Sequence, residues 1–269
     1  MNIVNDKITD YLRSFHRPVD DDLEALRKKC VENRIPLILP ETEDFLKVLL
    51  SITRPRGILE VGTAWGYSSA LFAKLLPDAM ITTIEKSERV REKARFNHEQ
   101  IGVASRIDAV QGDGGEVLKY MADMREDREK VIEELLRRVH DDPETAFAGS
   151  PTAVDEPDWE PDIMTESRIE DISRASEGTY DFLFIDAAKS HYREFLDQGL
   201  RLLEPGSVIL CDNVLMKASV IDDGYDGHRR HRTNVKRMHE FLEYLCGRAD
   251  LETVIMSCGD GLALSRMIC

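Results

Sequence analysis

Four apolar runs in this 269-residue chain end in an acidic residue or lead straight into one. Glu85 closes TTIE, Asp113 lies between Gly112 and Gly114, Asp186 ends DFLFID, and Asp212 ends SVILCD with Asn213 directly after it. Two carboxylates and an amide oxygen (Asp186, Asp212, Asn213) form a hard, oxygen-only donor set. Such a set suits Mg²⁺ or Mn²⁺, with water completing an octahedron. Lys189 follows Asp186 by three residues and would sit just above that metal. Plainer roles compete: helix N-capping for the aspartates and a surface position for the lysine. At strand tips the metal-binding carboxylates would face solvent.

A glycine-bearing turn precedes them in LEVGTAWGYSS, residues 59–69. Glycines where a strand turns into a helix let a ligand approach the backbone, and the helix N-terminus favours polar or anionic groups. The spacing is G-x-x-x-G, which counts against the G-x-G-x-x-G of a dinucleotide site. A tight turn that merely needs small residues explains it equally well. Glu85, at the second strand tip, could accept both ribose hydroxyls of an adenosine. Asp113 could receive the adenine amine, or simply open an Asp-Gly turn. Three such features on consecutive strand tips carry more weight than any one.

These residues work together only if strands and helices hold the tips side by side. Strands are expected at 57–61, 80–85, 107–111, 180–186 and 207–212, with helices near 68–76, 88–101 and 192–203. Runs that stay apolar on successive residues mark strands covered on both faces, as in a parallel sheet. Runs at 251–258 and 262–268 flank Gly259-Asp260-Gly261 and read as a hairpin. The expected fold is α/β: a doubly wound, mostly parallel seven-stranded sheet with an antiparallel C-terminal hairpin. Helical spacing at 4–15, 21–33 and 41–52 puts helices in the first 55 residues, around a loop bounded by Pro36 and Pro40.

Residues 122–178 interrupt this rhythm. They hold 18 Asp/Glu against 7 Lys/Arg, a net −11 of the chain's −15. A charged helix is expected over 124–140, and loop or disorder over 141–162. We read one domain over 1–269 with an acidic, partly helical insertion at 122–178, because neither half closes a sheet alone. A single crossover helix would carry that insertion to the edge opposite the strand tips. There it would be a peripheral appendage, replaceable over 122–177 by a short linker.

Composition bounds the rest. At 42% hydrophobic and 32% charged residues the chain is neither collagen-like nor wholly disordered. No apolar run spans a bilayer, and the N-terminus carries charges where a signal peptide would place its apolar core. Five scattered cysteines without a CxxC pair point to reduced thiols, hence a cytoplasmic location and no membrane partner.

The stretches LEVGTAWGYSS, TTIEKSERVREKARFN, GDGGEVL, YDFLFIDAAKSHYREF and LEPGSVILCDNVL resemble the class I S-adenosylmethionine-dependent O-methyltransferases. The likeness is to the metal-dependent catechol and caffeoyl-CoA group, over about residues 35–120 and 179–268. Ala187-Ala188, where the catechol enzymes carry His-Trp, looks more like bacterial members. The resemblance implies S-adenosylmethionine contacts at Glu60, Gly62, Tyr67, Ser68, Glu85, Asp113 and Asp186. It implies Mg²⁺ or Mn²⁺ on Asp186, Asp212 and Asn213, Lys189 as general base with Asp186 beside it, and a cofactor lid at 36–40. The implied acceptor is a small vicinal diol chelating the metal, and a homodimer is expected. A tRNA 5-hydroxyuridine acceptor is the alternative. It draws on five basic and no acidic residues over 228–237, including Arg229, Arg230 and Lys236. A non-catalytic cofactor-binding protein is weakened by the intact metal set and lysine.

Overall fold

The computed structural model describes residues 5–141, 164–216, 219–220 and 232–268. Three helices lead in: α1 (Asp6–Arg13), α2 (Asp21–Glu32) and α3 (Pro40–Thr53). Asp20 starts α2 by accepting the Leu23 amide at 2.9 Å, and acidic residues in the first turn meet the positive end of the helix dipole. Pro40 takes the first turn of α3, where a missing N–H costs nothing.

The remaining chain alternates. In order come β1 (Gly57–Val61), α4 (Tyr67–Leu75), β2 (Met80–Glu85), α5 (Glu88–Ile101), β3 (Ile107–Gln111), α6 (Gly114–Asp141) and α7 (Glu166–Ser176). Then follow β4 (Tyr180–Ile185), α8 (Tyr192–Leu200), β5 (Leu203–Cys211), α9 (Arg232–Cys246), β6 (Leu251–Met256) and β7 (Leu262–Met267). One sheet runs β3-β2-β1-β4-β5-β7-β6. Pairs among β1 to β5 are parallel, and β7 is antiparallel to both β5 and β6. The expected doubly wound sheet with a terminal hairpin is the one observed. β5 starts earlier than the apolar run implies, because Glu204, Pro205 and Gly206 are exposed.

The continuous apolar runs follow from helices on both faces. All five residues of β1 are buried, as are five of six in β4. Ile58, Phe182, Phe184 and Leu210 point toward α2, α3 and α4. Leu59, Leu183, Ile185 and Ile209 point toward α6 to α9. Asp181, the partly exposed member of β4, accepts the amides of Arg56 and Gly57 at 3.0 Å and fixes where β1 begins.

The acidic segment departs from expectation. α6 breaks at Asp127, whose φ of −153° and ψ of 84° are not helical. Arg138 then donates to the Tyr120 hydroxyl at 2.9 Å. In a straight helix, 18 residues would separate these two by about 27 Å. The second arm therefore turns back along the first. Arg125, at the break, donates to the carbonyls of Ser176 and Leu202, just before β4 and β5. The break thus lies at the N-terminal edge of the sheet, and the second arm climbs back toward the strand tips. α7 starts there: the Arg168 guanidinium lies against Gly112, where a Cβ would sit 2.1 Å from Nη2.

Both flanks of 142–163 are consequently on the edge carrying the acidic tips, opposite to the placement expected. The cause is the number of helical passes, three rather than one. Nor are the flanks peripheral. Met124, Leu135, Met164, Ile169 and Ile172 belong to the main buried cluster. Deleting 122–177 would forfeit roughly 10 kcal/mol of apolar burial, comparable to a domain's whole net stability. The stretch expected as loop over 141–162 lies almost wholly outside the described residues, as do Arg229 and Arg230. Lys236 is on α9, 3.6 Å from Glu240. Among the described residues no helix is long and apolar enough to cross a membrane.

Candidate active site

Strand order reverses between β1 and β4, and the loops leaving those two strands diverge there. A cleft of about 580 Å³ opens over this point at the C-terminal edge. Backbone bonds just past the strands keep the tips level: Gly62 N to Ile84 O, Asp186 N to Val61 O, and Asp212 N to Ile185 O, each 3.0 Å. Gly62, Tyr67, Ser68, Glu85, Asp113, Asp186, Lys189 and Asn213 all line the cleft, with residues 36–38 forming one wall.

The glycine turn needs its residue types. Gly62 has φ +100°, and a Cβ there would lie 2.1 Å from the Asp186 carbonyl oxygen. Ala64 also holds a positive φ, 47°, which a non-glycine residue keeps only where its surroundings demand it. Glu85 supplies part of that demand: Oε2 accepts the Ala64 amide at 3.0 Å and Oε1 the Ser87 amide at 3.1 Å. Burial pushes the Glu85 carboxyl up, and these amides oppose the shift. Asp113 accepts the Gly115 amide at 3.1 Å, with Lys86 Nζ 3.4 Å away.

α5 grips the turn from outside. Asn97 Nδ2 donates to the Trp65 carbonyl at 2.9 Å, and His98 Nε2 lies 3.1 Å from the Gly66 carbonyl. That oxygen can only accept, so Nε2 carries the proton. His98 is 1% exposed, and burial lowers its pKa to about 4. The sign follows: between pH 6.5 and about 4 the unfolded histidine takes a proton that the folded one refuses. Acidification across that window should cost roughly 3 kcal/mol of stability through His98 alone. Comparing denaturant melts of wild type and His98→Gln at pH 7 and 4.5 isolates this loss. Equal pH losses in the two proteins would remove His98 from the account.

Of the expected cofactor contacts, Glu60 does not line the cleft. It is fully buried and accepts from Thr83 Oγ1 at 2.5 Å. Thr83 in turn lies 2.6 Å from Thr63 Oγ1, so Glu60 supports the glycine turn from beneath. Burial pushes its carboxyl up to about 7. Tyr67 lines the cleft with its ring, but its hydroxyl points away and donates to Glu43 at 2.6 Å.

The acidic corner is tight. Lys189 Nζ donates to Asp186 Oδ1 at 3.0 Å, to Asn213 Oδ1 at 2.9 Å and to the Tyr192 hydroxyl at 2.7 Å. All three ammonium hydrogens are thereby used. Tyr192, fully buried, donates its hydroxyl hydrogen bond to the Asp212 backbone carbonyl at 3.0 Å. Asp212 is 0% exposed, so it does not face solvent as a strand-tip residue was expected to. Its Oδ1 accepts the Asn213 amide at 2.6 Å and holds Asn213 at φ 57°, while Oδ2 is buried without a hydrogen-bond partner. Burial and the Asp186 charge push the Asp212 carboxyl well up. Among the described residues no three His, Cys, Asp or Glu side chains converge, so a cation here needs the Asn213 amide as its third protein ligand.

Sequence reasoning did not single out Arg27, Glu43, Asn97 or His98. Each is a buried or half-buried polar side chain with a partner 16 or more positions away, a distance at which no motif or periodicity signals contact.

A family model described as O-methyltransferase matches residues 17–132 and 164–268, leaving 133–163 unmatched. The chain is 24% identical over 225 residues to a catechol O-methyltransferase of Niastella koreensis, covering 82% of this chain and 79% of the relative. It is 26% identical over 229 residues to a caffeoyl-CoA O-methyltransferase of Populus kitakamiensis, covering 84% and 75%. Among solved structures, the SAH-bound methyltransferase PaMTH1 of Podospora anserina superposes with a TM-score of 0.71 at 18% identity, covering the whole of both chains. The O-methyltransferase TomG of Streptomyces achromogenes, in complex with SAM, gives 0.63 at 22% identity over 98% and 96%. These two likenesses show the fold. The family model, spanning most of the chain on both sides of the acidic segment, settles the class: the chain belongs to the O-methyltransferase family and is an S-adenosylmethionine-dependent methyltransferase.

Proposed function

We propose that the cleft binds S-adenosylmethionine beside a divalent cation and that the enzyme methylates a hydroxyl of a small vicinal diol. The observation that carries this reading is the corner at Asp186, Asp212 and Asn213. Its oxygens already gather an ammonium group, and a buried carboxylate oxygen among them has no partner. Such a corner calls for positive charge. Asp186, Asp212 and Asn213 would hold Mg²⁺ or Mn²⁺, which binds diol oxygens and favours their ionised form.

The methionine end of the cofactor would lie along Gly62 to Ser68, with the ribose at Glu85 and the adenine near Asp113. Its sulfonium supplies the methyl group. Ala187 and Ala188 line the cleft with minimal bulk and leave room for an acceptor ring. Lys189 would act as the neutral amine, its ammonium proton having passed to solvent when the cation takes over Asp186 and Asn213, and in that form it would take the hydroxyl proton. Tyr192 would keep the lysine aimed at the same point throughout. Glu60 stays beneath the turn as support.

A tRNA acceptor is the weaker reading. Residues 142–163, whose flanks lie on the active edge, hold seven acidic and no basic residues, a charge that would repel a polyanion. The basic residues proposed to offset it include Lys236, already beside Glu240. Self-association is supported by α1 and the turn after it, where Ile8, Tyr11, Leu12 and Phe15 are exposed on one side.

The test incubates the protein with methyl-labelled S-adenosylmethionine, Mg²⁺ and either a catechol panel or hypomodified tRNA. Label should enter a catechol and stay out of tRNA. Transfer to tRNA alone would reverse the order of the two readings.

A further inference from the structure

Arg27 does not line the cleft, yet its guanidinium joins three elements around it. Nη1 donates to the Ile38 carbonyl at 3.1 Å and Nε to the Tyr67 hydroxyl at 3.1 Å, while Nη2 pairs with Glu43. The guanidinium carbon sits 4.4 Å from the centre of the Tyr67 ring. Tyr67 donates to the same Glu43 oxygen, and Lys47 Nζ lies 3.2 Å from the other. Burial opposes ionisation of Glu43, but the bonds from Tyr67 and Arg27 outweigh it and hold the carboxyl below its ordinary range.

The elements so joined make one wall. Residues 35–39 lie in neither helix nor strand, and 36–38 face the cleft. Tyr67 opens α4 at the glycine turn on the same side. Arg27 ties the irregular wall to the turn through a planar fork whose donors diverge at fixed angles. A lysine could keep the charge against Glu43 but could not reach all three partners at once. We infer that Arg27 is a positioning residue for the cofactor, fixing the 36–38 wall and the Tyr67 ring against bound S-adenosylmethionine without touching it. The inference rests on the cofactor occupying this cleft.

Two variants test it by calorimetric titration with S-adenosylhomocysteine, steady-state kinetics and thermal melts. Arg27→Lys should weaken binding roughly tenfold, about the worth of one charged hydrogen bond, and raise KM for S-adenosylmethionine in step. At saturating cofactor, kcat should stay within about twofold, because Lys189 and Asp212 are held by other elements. Unchanged affinity in Arg27→Lys would overturn the inference. Arg27→Met/Glu43→Gln removes both buried charges together and so avoids stranding a carboxylate. Weak binding in that variant at a wild-type melting temperature would separate positioning from stability. Restoration of both affinity and melting temperature would make Arg27 merely structural and overturn the inference. A wild-type protein that fails to bind S-adenosylhomocysteine would instead sink the reading of the cleft.

Discussion

Lys189→Met should lower turnover by roughly 10²-fold or more while cofactor affinity stays within a few fold. The two effects separate because the structure separates their causes. Lys189 bonds only to Asp186, Asn213 and Tyr192, all beyond β4 and β5. Cofactor binding on our reading draws on the turn after β1 and the tip of β2. Glu85→Ala should show the opposite pattern. It removes the acceptor that holds the Ala64 and Ser87 amides and weakens S-adenosylmethionine by about 1–3 kcal/mol. Measuring kcat and S-adenosylhomocysteine affinity for both variants gives a crossed comparison. Unchanged turnover in the lysine variant would leave the base unidentified and reopen the assignment of Asp186 beside it.

Asp212→Asn should abolish both Mn²⁺ binding and transfer without unfolding the protein. The amide is isosteric and can still accept the Asn213 backbone N–H, so the left-handed Asn213 keeps its place. What it loses is the negative charge a cation needs. The fold should tolerate the change, though not because the residue is exposed. A buried carboxylate repelled by Asp186 is being replaced by a neutral group, so the melting temperature should hold or rise. Titration with Mn²⁺ followed by a melt reads both effects. Full activity of wild-type protein after exhaustive chelation would rule out the metal assignment itself.

The acidic strand tips were legible in the sequence for a physical reason. A parallel sheet puts every C-terminal tip on one edge, so finding the strands finds the neighbours of Glu85, Asp113, Asp186 and Asp212. The wholly apolar runs of β1 and β4 made those strands plain. Alternation along β1 places Glu60 beneath the turn, where it accepts from Thr83. The Arg27–Glu43–Tyr67 group was illegible since helix packing, not local pattern, brings it together. The reversal of α6 was hidden for another reason: no glycine or proline marks it, and Asp127, which accepts the Lys130 amide at 3.2 Å and so starts the second arm, is one acid among many in that stretch. α9 packs through Val235, Met238, Phe241, Leu242 and Leu245, an apolar spacing that its basic first turns precede.

The β1–β4 junction has a consequence for how this enzyme divides its labour along the chain. Everything before residue 142 builds β1 to β3, and everything after 163 builds β4 to β7. The glycine turn, Glu85 and Asp113 belong to the first stretch; Asp186, Lys189, Asp212 and Asn213 belong to the second. On our reading, methyl donor and methyl acceptor are thus met mainly by separate stretches of the chain, which join along the β1–β4 pair and where α6 packs against α7 and α8. Acceptor preference can drift through changes in the second half while the donor half stays fixed. A chimaera joining this first half to the second half of a relative should keep the donor and inherit the relative's acceptor, provided the buried faces of β1 and β4 still fit.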